Sequence, residues 1–363
     1  MRPFVAIQIV PTGIGCEVGG FAGDATPATN LLASACDLLL THPNAVNAAV
    51  MYRARPNVAY VEGHALDRFA LGQWALRPVR ANRIALVIDR AVSDDPHAMV
   101  RITNAAHAVR AVAGVDLIGW LPTEAPLDLR LTAGEFGSTH GEIGNPEILL
   151  QAARRAVERG AEAIALVARM PEVPTDLAEA YARGGAPDPI GGLEAVLSHL
   201  VVDALMVPCA HAPYEPFEEE GVVDPRVSAE TIGLTFLPCI LEGLARAPRY
   251  VPIAEAREGD LTIAGVDAVV APWEACGGIP MLVAAERGIP LIGVKAGVAA
   301  GRVTPDALGI PALPAENYLE AAGLLLALKE GVSPGAVRRP LEPLPCLEAT
   351  GAGGVMPAKA GIQ

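Results

Sequence analysis

Positive charge and aromatic side chains are both scarce in this sequence of 363 residues. It holds 27 Lys and Arg against 41 Asp and Glu, which gives a net charge of −14, and lysine occurs only as Lys295, Lys329 and Lys359. Phe, Trp and Tyr together make up 4% of the chain. An acidic surface repels a phosphate backbone, and few rings are present to stack on bases. We therefore exclude nucleic acid as a partner.

The sequence also lacks paired cysteines and long apolar runs. Its six cysteines form no Cys-x-x-Cys motif, which argues against a zinc knuckle or a redox motif and favours reduced thiols in a cytoplasm. The apolar run at 4–10 is short and has no cleavage pattern, and no run approaches the ~18 apolar residues of a membrane span. These features predict a cytoplasmic protein without a membrane partner; a homo-oligomer stays open.

Short aliphatic runs alternate with helical patterns along nearly the whole chain, which is typical of parallel βαβ units. The predicted strands are 4–10, 83–89, 115–120, 162–168, 203–207, 266–271 and 289–294. The predicted helices are 27–41, 97–113, 146–159, 175–184, 190–202, 228–246, 278–287 and 316–330. The pattern predicts an α/β fold with a mostly parallel sheet flanked by helices, arranged as two Rossmann-like lobes.

Domain boundaries follow from composition. The segment 121–145 is rich in turn residues and Asn145-Pro146 opens a strong helical pattern, so we expect an N-terminal lobe at 1–145 and a C-terminal lobe at 146–332. Residues 333–363 are rich in Pro, Gly and Ala without periodicity and are predicted to form a disordered tail.

A Gly-rich segment follows the first predicted strand. Its candidate ligand-binding residues are Gly13, Gly15, Gly19 and Gly20, and Asp24 is a candidate acid or base. Such a loop can bring backbone N–H groups to an anion at a helix N-terminus. The third glycine of a dinucleotide fingerprint would fall at position 18, which is Val18, so the spacing disfavours NAD. The alternative is a structural turn capped by Thr26 and Pro27.

Polar residues cluster in the turns at 40–47 and 60–69. His42, Asn44, Asn47, Glu62, Asp67 and Arg68 lie at element ends, where functional groups concentrate, although caps and surface pairs explain them equally. Asp67, Arg68 and, further along, Arg80 are candidate ligand-binding residues, since Arg binds carboxylates and phosphates well.

Two further Gly-rich turns precede helices. The segment 134–147 contains His140, a candidate ligand-binding residue, and could either cradle an anion or only link the lobes through Asn145 and Pro146. Gly277 and Gly278 lie in a strand-turn-helix unit similar in type to the donor-binding unit of two-lobed glycosyltransferases, a likeness shared by many folds.

His199, Cys209 and His211 are the candidate metal or nucleophile set. A helix carrying His199 and a strand end carrying Cys209 and His211 would bring the three together, because alternate residues of a strand share a face. Such a set could bind a divalent metal or form a Cys/His nucleophile pair. The alternative is that the three are packing or substrate-binding residues.

The segments "VPTGIGCEVGGFAGDATP", "YVEGHALDRFALGQWALRPVRANRI", "GGLEAVLSHLVV", "PCAHAP", "ETIGLTFLPCILEGLARAP" and "ACGGIPMLVAAERGIPLIGV" resemble the DUF3326 family of cyanobacteria, plants and some other bacteria. The resemblance extends over roughly residues 3 to 330. It implies an α/β protein of metabolic type and supplies no activity, cofactor or catalytic residue.

The sequence thus favours an enzyme that acts on a small anionic metabolite, phosphorylated or carboxylated, bound at the Gly-rich loops where parallel strands end. Its candidate catalytic residues are Asp24, His199, Cys209, His211 and Glu230. The cofactor is open, with a divalent metal as one option, and the reaction could be that of a transferase, an isomerase or lyase, or a hydrolase. Two alternatives remain: a ligand-binding or regulatory protein without turnover, and a metal-dependent hydrolase.

Overall fold

A computed structural model describes residues 2–11, 18, 21, 24–42, 54–133, 139–184, 186–214, 236–296, 302–341 and 343–344. Its strands are β1 (Val5–Gln8), β2 (Leu38–Thr41), β3 (Val58–Tyr60), β4 (Trp74–Arg77), β5 (Ile84–Ile88), β6 (Leu117–Pro122), β7 (Leu129–Ala133), β8 (Thr139–Ile143), β9 (Ala163–Arg169), β10 (Cys209–Tyr214), β11 (Arg249–Pro252), β12 (Val266–Pro272), β13 (Leu291–Val294) and β14 (Leu313–Ala315).

The helices are α1 (Thr26–Ser34), α2 (Gly63–Ala70), α3 (Arg90–Ser93), α4 (Pro96–Ala113), α5 (Pro146–Glu158), α6 (Thr175–Ala182), α7 (Gly191–Leu205), α8 (Phe236–Ala245), α9 (Ile279–Arg287), α10 (Pro305–Leu308), α11 (Tyr318–Lys329) and α12 (Pro334–Val337). Short 3₁₀ turns lie at Ile253–Glu255 and Ile263–Gly265. The predicted α/β class is confirmed.

Six strands form the larger sheet, in the order β14-β13-β12-β1-β2-β3. All neighbours in this sheet run parallel. Numbered along the chain within the sheet, this is the 3-2-1-4-5-6 order of doubly wound folds. The order reverses between β1 and β12, and in open α/β sheets the crevice outside the strand ends at such a reversal is the usual ligand site.

The smaller sheet has four parallel strands in the order β10-β9-β5-β6. Two antiparallel pairs, β4 with β11 and β7 with β8, complete the strand pairing of the described residues. Each of the two larger sheets takes strands from both sides of residue 145, so this position does not coincide with a boundary between the sheets.

The main hydrophobic core lies between the two sheets. It combines Ile7 and Val269 of the larger sheet with Val87 and Leu166 of the smaller one, together with apolar side chains of α2, α5, α7 and α9. These helices are amphipathic or apolar because they pack on a sheet or on each other. The N-terminal turns of α2, α7 and α9 reach the cavity described below, so the core fixes its wall.

Helix α7 is held by a close approach to the β7–β8 hairpin. A Cβ atom on Gly141 of β8 would lie 2.5 Å from the Cα atom of Leu193, well inside van der Waals contact. A glycine at position 141 therefore lets α7 pack directly on the hairpin, which sets the position of every side chain that α7 presents.

One predicted helix and one predicted strand differ from the structure. The helix expected at 27–41 ends at Ser34, and Leu38–Thr41 form β2, because a short apolar run cannot be assigned to strand or helix by periodicity alone. Asn57 donates hydrogen bonds to the carbonyls of Ala33 and Cys36 and so satisfies the end of α1. The strand expected at 203–207 is instead the last turn of α7, and β10 starts at Cys209.

The segment 121–145, which is rich in turn residues, contains the β7–β8 hairpin. The predicted tail begins with the short helix α12, and residues 345–363 lie outside the described part of the chain. No helix within the described residues has both the length and the apolar character that crossing a membrane requires.

Candidate functional site

A cavity of about 250 Å³ lies at the carboxyl end of the larger sheet, and we call it the switch-point cavity. Its lining residues are Ile9, His42, Glu62, Gly63, Leu66, Asp67, Gly191, Glu194, Ala195, Ser198, His199, His211, Gly278, Pro280 and Met281. Ile9 directly follows β1 and Gly278 precedes α9, which connects β12 to β13. The cavity therefore lies beside the reversal of strand order, and its volume is below the roughly 300–1,000 Å³ of typical ligand pockets.

Glu62 is a fully buried carboxylate that caps helix α2. It accepts hydrogen bonds from the N–H groups of His64 at 2.8 Å and Ala65 at 3.3 Å. It also accepts one from the Ser198 hydroxyl at 3.2 Å, and it pairs with Nδ1 of His199. Its own N–H donates to the Tyr250 hydroxyl. These bonds fix one carboxylate between α2 and α7.

His199 is the partly exposed member of the pair, with 44% of its side chain accessible. Burial lowers the pKa of His199, but the hydrogen bond and charge of Glu62, with a contribution from Asp67, raise it above the ordinary value. Because the carboxylate accepts, Nδ1 carries the proton and Nε2 is the ring nitrogen left for a ligand. A buried carboxylate behind a histidine orients it as in catalytic triads.

Asp67 lies one turn further along α2 and also lines the cavity. Burial raises the pKa of its carboxyl, the charge of Glu62 adds to this, and His199 and His64 act against it. The neutral, protonated form of Asp67 is thus favoured more than that of an exposed aspartate.

His42 follows β2 and is held neutral. Nε2 of His42 accepts a hydrogen bond of 2.7 Å from the N–H of Val10, so the proton of the neutral ring is on Nδ1. Burial lowers the pKa of His42 to about 4, and the charge of His199 lowers it further. The side chain therefore offers the cavity a neutral N–H donor.

His211 of β10 faces Glu194 of α7, with Nδ1 3.3 Å from Oε1. The residue is 6% exposed, and burial lowers its pKa to about 3, so the ring is neutral at physiological pH. Nε2 is buried and has no hydrogen-bond partner among the described residues.

Cys209 shares a face of β10 with His211 but packs in the core rather than in the cavity wall. Its carbonyl accepts a hydrogen bond from the Tyr60 hydroxyl. Burial, with a smaller effect of Glu62, raises the pKa of the Cys209 thiol well above its ordinary value. A protonated buried thiol is a poor nucleophile, which argues against the predicted catalytic role.

Metal binding by the predicted set is not supported. Within the described ranges, no three His, Cys, Asp or Glu side chains are grouped so that they could hold a metal ion. His199, Cys209 and His211 are not grouped in this way, because Cys209 packs in the core.

The cavity brings together four of the predicted site residues, which are Asp67, His199, His211 and Gly278. Six others do not line it: Asp24 in the turn before α1, Arg68 beside His64, Arg80 on the exposed loop after β4, His140 on the exposed side of β8, the core residue Cys209, and Gly277. Gly13, Gly15, Gly19, Gly20 and Glu230 lie outside the described residues.

Glu194 and Ser198 were missed by sequence reasoning, and Glu62 and His42 were grouped with structural caps. Glu62 and His199 are separated by 137 positions, and nothing in a single sequence marks them as partners. The available signal was local: Ser198 and His199 follow Glu194 by one helical turn, so the three share a face of α7.

Gly63 provides a test of how the His199 ring is held. A Cβ atom at position 63 would lie 3.0 Å from Cε1 of His199, so Gly63→Ala is expected to push the ring away from Glu62. The pKa of His199 should then fall, because burial is no longer offset as strongly. Histidine NMR titration measures this value.

Gly323→Ala is the matched control, because nothing lies within 4 Å of a Cβ atom there. Both variants should remain folded, since alanine favours a helix over glycine by about 0.5–1 kcal/mol. An unchanged His199 pKa in Gly63→Ala would show that the contact does not position the ring.

Comparisons with known proteins show which family this chain resembles, but they describe no activity. A family model described as "Protein of unknown function (DUF3326)" matches residues 5–338. An uncharacterised lipoprotein of Synechococcus sp. is 45% identical over 338 residues, which cover 93% of this chain and 94% of that protein.

The name of this relative contradicts the cytoplasmic location expected from the sequence. That expectation was drawn from unpaired cysteines and a short apolar N-terminal run, and neither feature reports where a protein resides. The extent of both matches confirms the resemblance in the sequence, and the chain belongs to the DUF3326 family.

Proposed function

We propose that this chain is an enzyme that transfers a proton on a small anionic metabolite, phosphorylated or carboxylated, bound in the switch-point cavity. The observation that carries the proposal is the pairing of the fully buried Glu62 with the cavity-facing residue His199. Glu62 holds the proton on Nδ1 and leaves Nε2 as a base for the substrate. Once protonated, the imidazolium is stabilised by the same carboxylate.

Asp67 supplies the complementary acid. Burial raises the pKa of its carboxyl and Asp67 lines the same cavity, so we assign it the second proton-transfer role beside His199. His42 adds a neutral N–H donor able to hydrogen-bond a substrate oxygen that gains charge during the reaction.

The anionic group of the substrate is assigned to the N-terminus of α9 in the cavity wall. Gly278 precedes α9 and no side chain caps that helix, whereas at α7 the Asp188 carboxylate already accepts hydrogen bonds from the N–H groups of Ile190 and Gly191. Unpaired N–H groups and the helix dipole at such ends attract carboxylates and phosphates.

Covalent catalysis is less consistent with the site than proton transfer. The Ser198 hydroxyl donates to Glu62 and to the carbonyl of Ala195, so it shares a carboxylate with His199 and is not bonded to the imidazole as a nucleophilic serine would be. The Cys209 thiol is buried and protonated. Isomerisation or elimination through a removed proton fits the remaining groups.

Hydrogen exchange in heavy water tests the proposal. The purified protein is incubated with a panel of small carboxylates and phosphate esters, and mass spectrometry detects deuterium incorporated at carbon. We expect the wild-type protein to exchange at least one compound and His199→Gln to exchange it roughly 10²–10⁴-fold more slowly.

His140→Gln is the matched control, since His140 is exposed on β8 and does not line the cavity. A thermal-shift measurement on the same panel reports binding independently. If compounds bind the wild-type protein but acquire no deuterium, proton transfer at carbon is refuted. The protein would then bind a ligand without turnover.

A further inference from the structure

We infer that the ligand of the switch-point cavity carries a hydroxyl group that donates a hydrogen bond to Nε2 of His211. The substrate class is then a small hydroxylated anion, such as a hydroxy acid or a hydroxylated phosphate ester. This inference rests on the proposed function for the anionic group and adds a specific contact at His211.

The contact with Glu194 determines which nitrogen of the His211 ring carries the proton. Glu194 lies in the first turn of α7, where the helix dipole favours a negative charge, and its carboxylate oxygen can only accept a hydrogen bond. Nδ1 of His211, 3.3 Å from this oxygen, therefore carries the proton of the neutral ring. Nε2 is left with a lone pair and acts only as an acceptor.

A buried acceptor atom without a hydrogen-bond partner is rare in proteins. His211 is 6% exposed and its Nε2 atom is fully buried, and leaving such an atom unsatisfied is costly. The other described side chains with unpartnered buried atoms, Gln8 and Thr29, do not line this cavity. His211 belongs to the cavity wall, so we assign to the ligand the donor that Nε2 lacks.

A hydroxyl group fits this acceptor better than an ammonium group does. The carboxylate of Glu194 is engaged by His211, and that of Glu62 accepts four hydrogen bonds. Neither glutamate is thus free to balance an ammonium charge, whereas a neutral imidazole nitrogen suits a neutral donor.

Matched pairs of probes that differ by one hydroxyl test the inference: malate with succinate, lactate with propionate, and hydroxypropyl phosphate with propyl phosphate. Thermal shift and calorimetry give the dissociation constants with the full-length protein. We expect a hydroxylated member to bind at least about tenfold more tightly than its partner, because the deoxy compound leaves Nε2 unpaired.

His211→Leu should remove this preference by weakening the hydroxylated member, and His140→Leu should retain it. Histidine ¹⁵N NMR on the wild-type protein provides a reading that does not depend on a variant folding, since Nε2 of His211 should shift with the hydroxylated probe alone. Equal affinities within every pair, a preference that survives in His211→Leu, or a panel in which no hydroxylated probe binds would each overturn the inference.

The two proposals fail separately. A hydroxyl preference without deuterium incorporation would refute proton transfer and leave the His211 contact standing. Deuterium incorporation without a hydroxyl preference would support the acid–base pair and refute the contact at His211.

Discussion

Glu62→Ala is expected to lower the free energy of unfolding by roughly 2–5 kcal/mol, because it removes a helix cap and leaves buried donors unpaired. The N–H groups of His64 and Ala65 lose their acceptor at the start of α2, and the Ser198 hydroxyl keeps only the carbonyl of Ala195 as an acceptor. Few of these donors can reach water, since Glu62 is fully buried. Urea denaturation measures the loss.

Glu62→Gln separates the charge of this residue from its capping role. Glutamine keeps the side-chain length and one acceptor oxygen, so we expect a stability loss of only about 1 kcal/mol. The pKa of His199 should nevertheless fall clearly, because burial would be opposed by Asp67 alone. Histidine NMR titration gives this value, and exchange in heavy water gives the matching loss of rate.

The sign of the stability change with pH follows from the raised pKa of His199. A histidine whose pKa is raised on folding stabilises the protein fully below its ordinary value of 6.5, and this contribution is lost as the pH rises through the folded-state pKa. Glu62→Gln should remove this dependence. A variant with an unchanged His199 pKa would show that the carboxylate does not hold the imidazolium.

The fold was more predictable from the sequence than the site was. Buried parallel strands read as continuous apolar runs, so β5, β9 and β12 were found within one or two residues. Strand β2 was not, because four residues of Leu-Leu-Leu-Thr fit a helix as well as a strand. That error placed His42 at the end of a helix instead of at the cavity.

The pairing of site residues depends on tertiary contacts that local patterns do not encode. His199 and His211 were identified because histidine on an apolar face attracts attention, but their partners Glu62 and Glu194 are ordinary helix-end carboxylates in the sequence. Glu62 meets His199 only because α2 and α7 pack side by side beneath the reversal of strand order. The sequence also offered Cys209 as an equal member of the set, and its burial decides against it.

Replacing His42 and His211 together is expected to make the protein markedly more resistant to acid. The pKa of each is lowered by burial, to about 4 for His42 and about 3 for His211, from an ordinary value of 6.5. Below pH 6.5 the unfolded chain binds a proton at each position and the folded protein does not, so stability falls as the pH falls. This direction is opposite to that expected for His199.

Each histidine contributes about 1.4 kcal/mol for each pH unit below 6.5, until its folded-state pKa is reached. At pH 5 the two together therefore destabilise the wild-type protein by about 4 kcal/mol relative to pH 7. The double variant His42→Gln with His211→Leu lacks both of these pH-dependent contributions to stability. Glutamine at position 42 keeps an acceptor for the N–H of Val10, so the backbone bond need not be lost.

Urea denaturation of both proteins between pH 7 and pH 5 gives the comparison. Asp188, whose pKa burial raises to about 6, acts in the opposite sense, but it does so equally in both proteins and cancels in the difference. The stability difference should shift in favour of the double variant by about 4 kcal/mol over this range. A difference that stays constant with pH would mean that both rings accept protons in the folded state, and His211 would then not present a lone pair to a ligand.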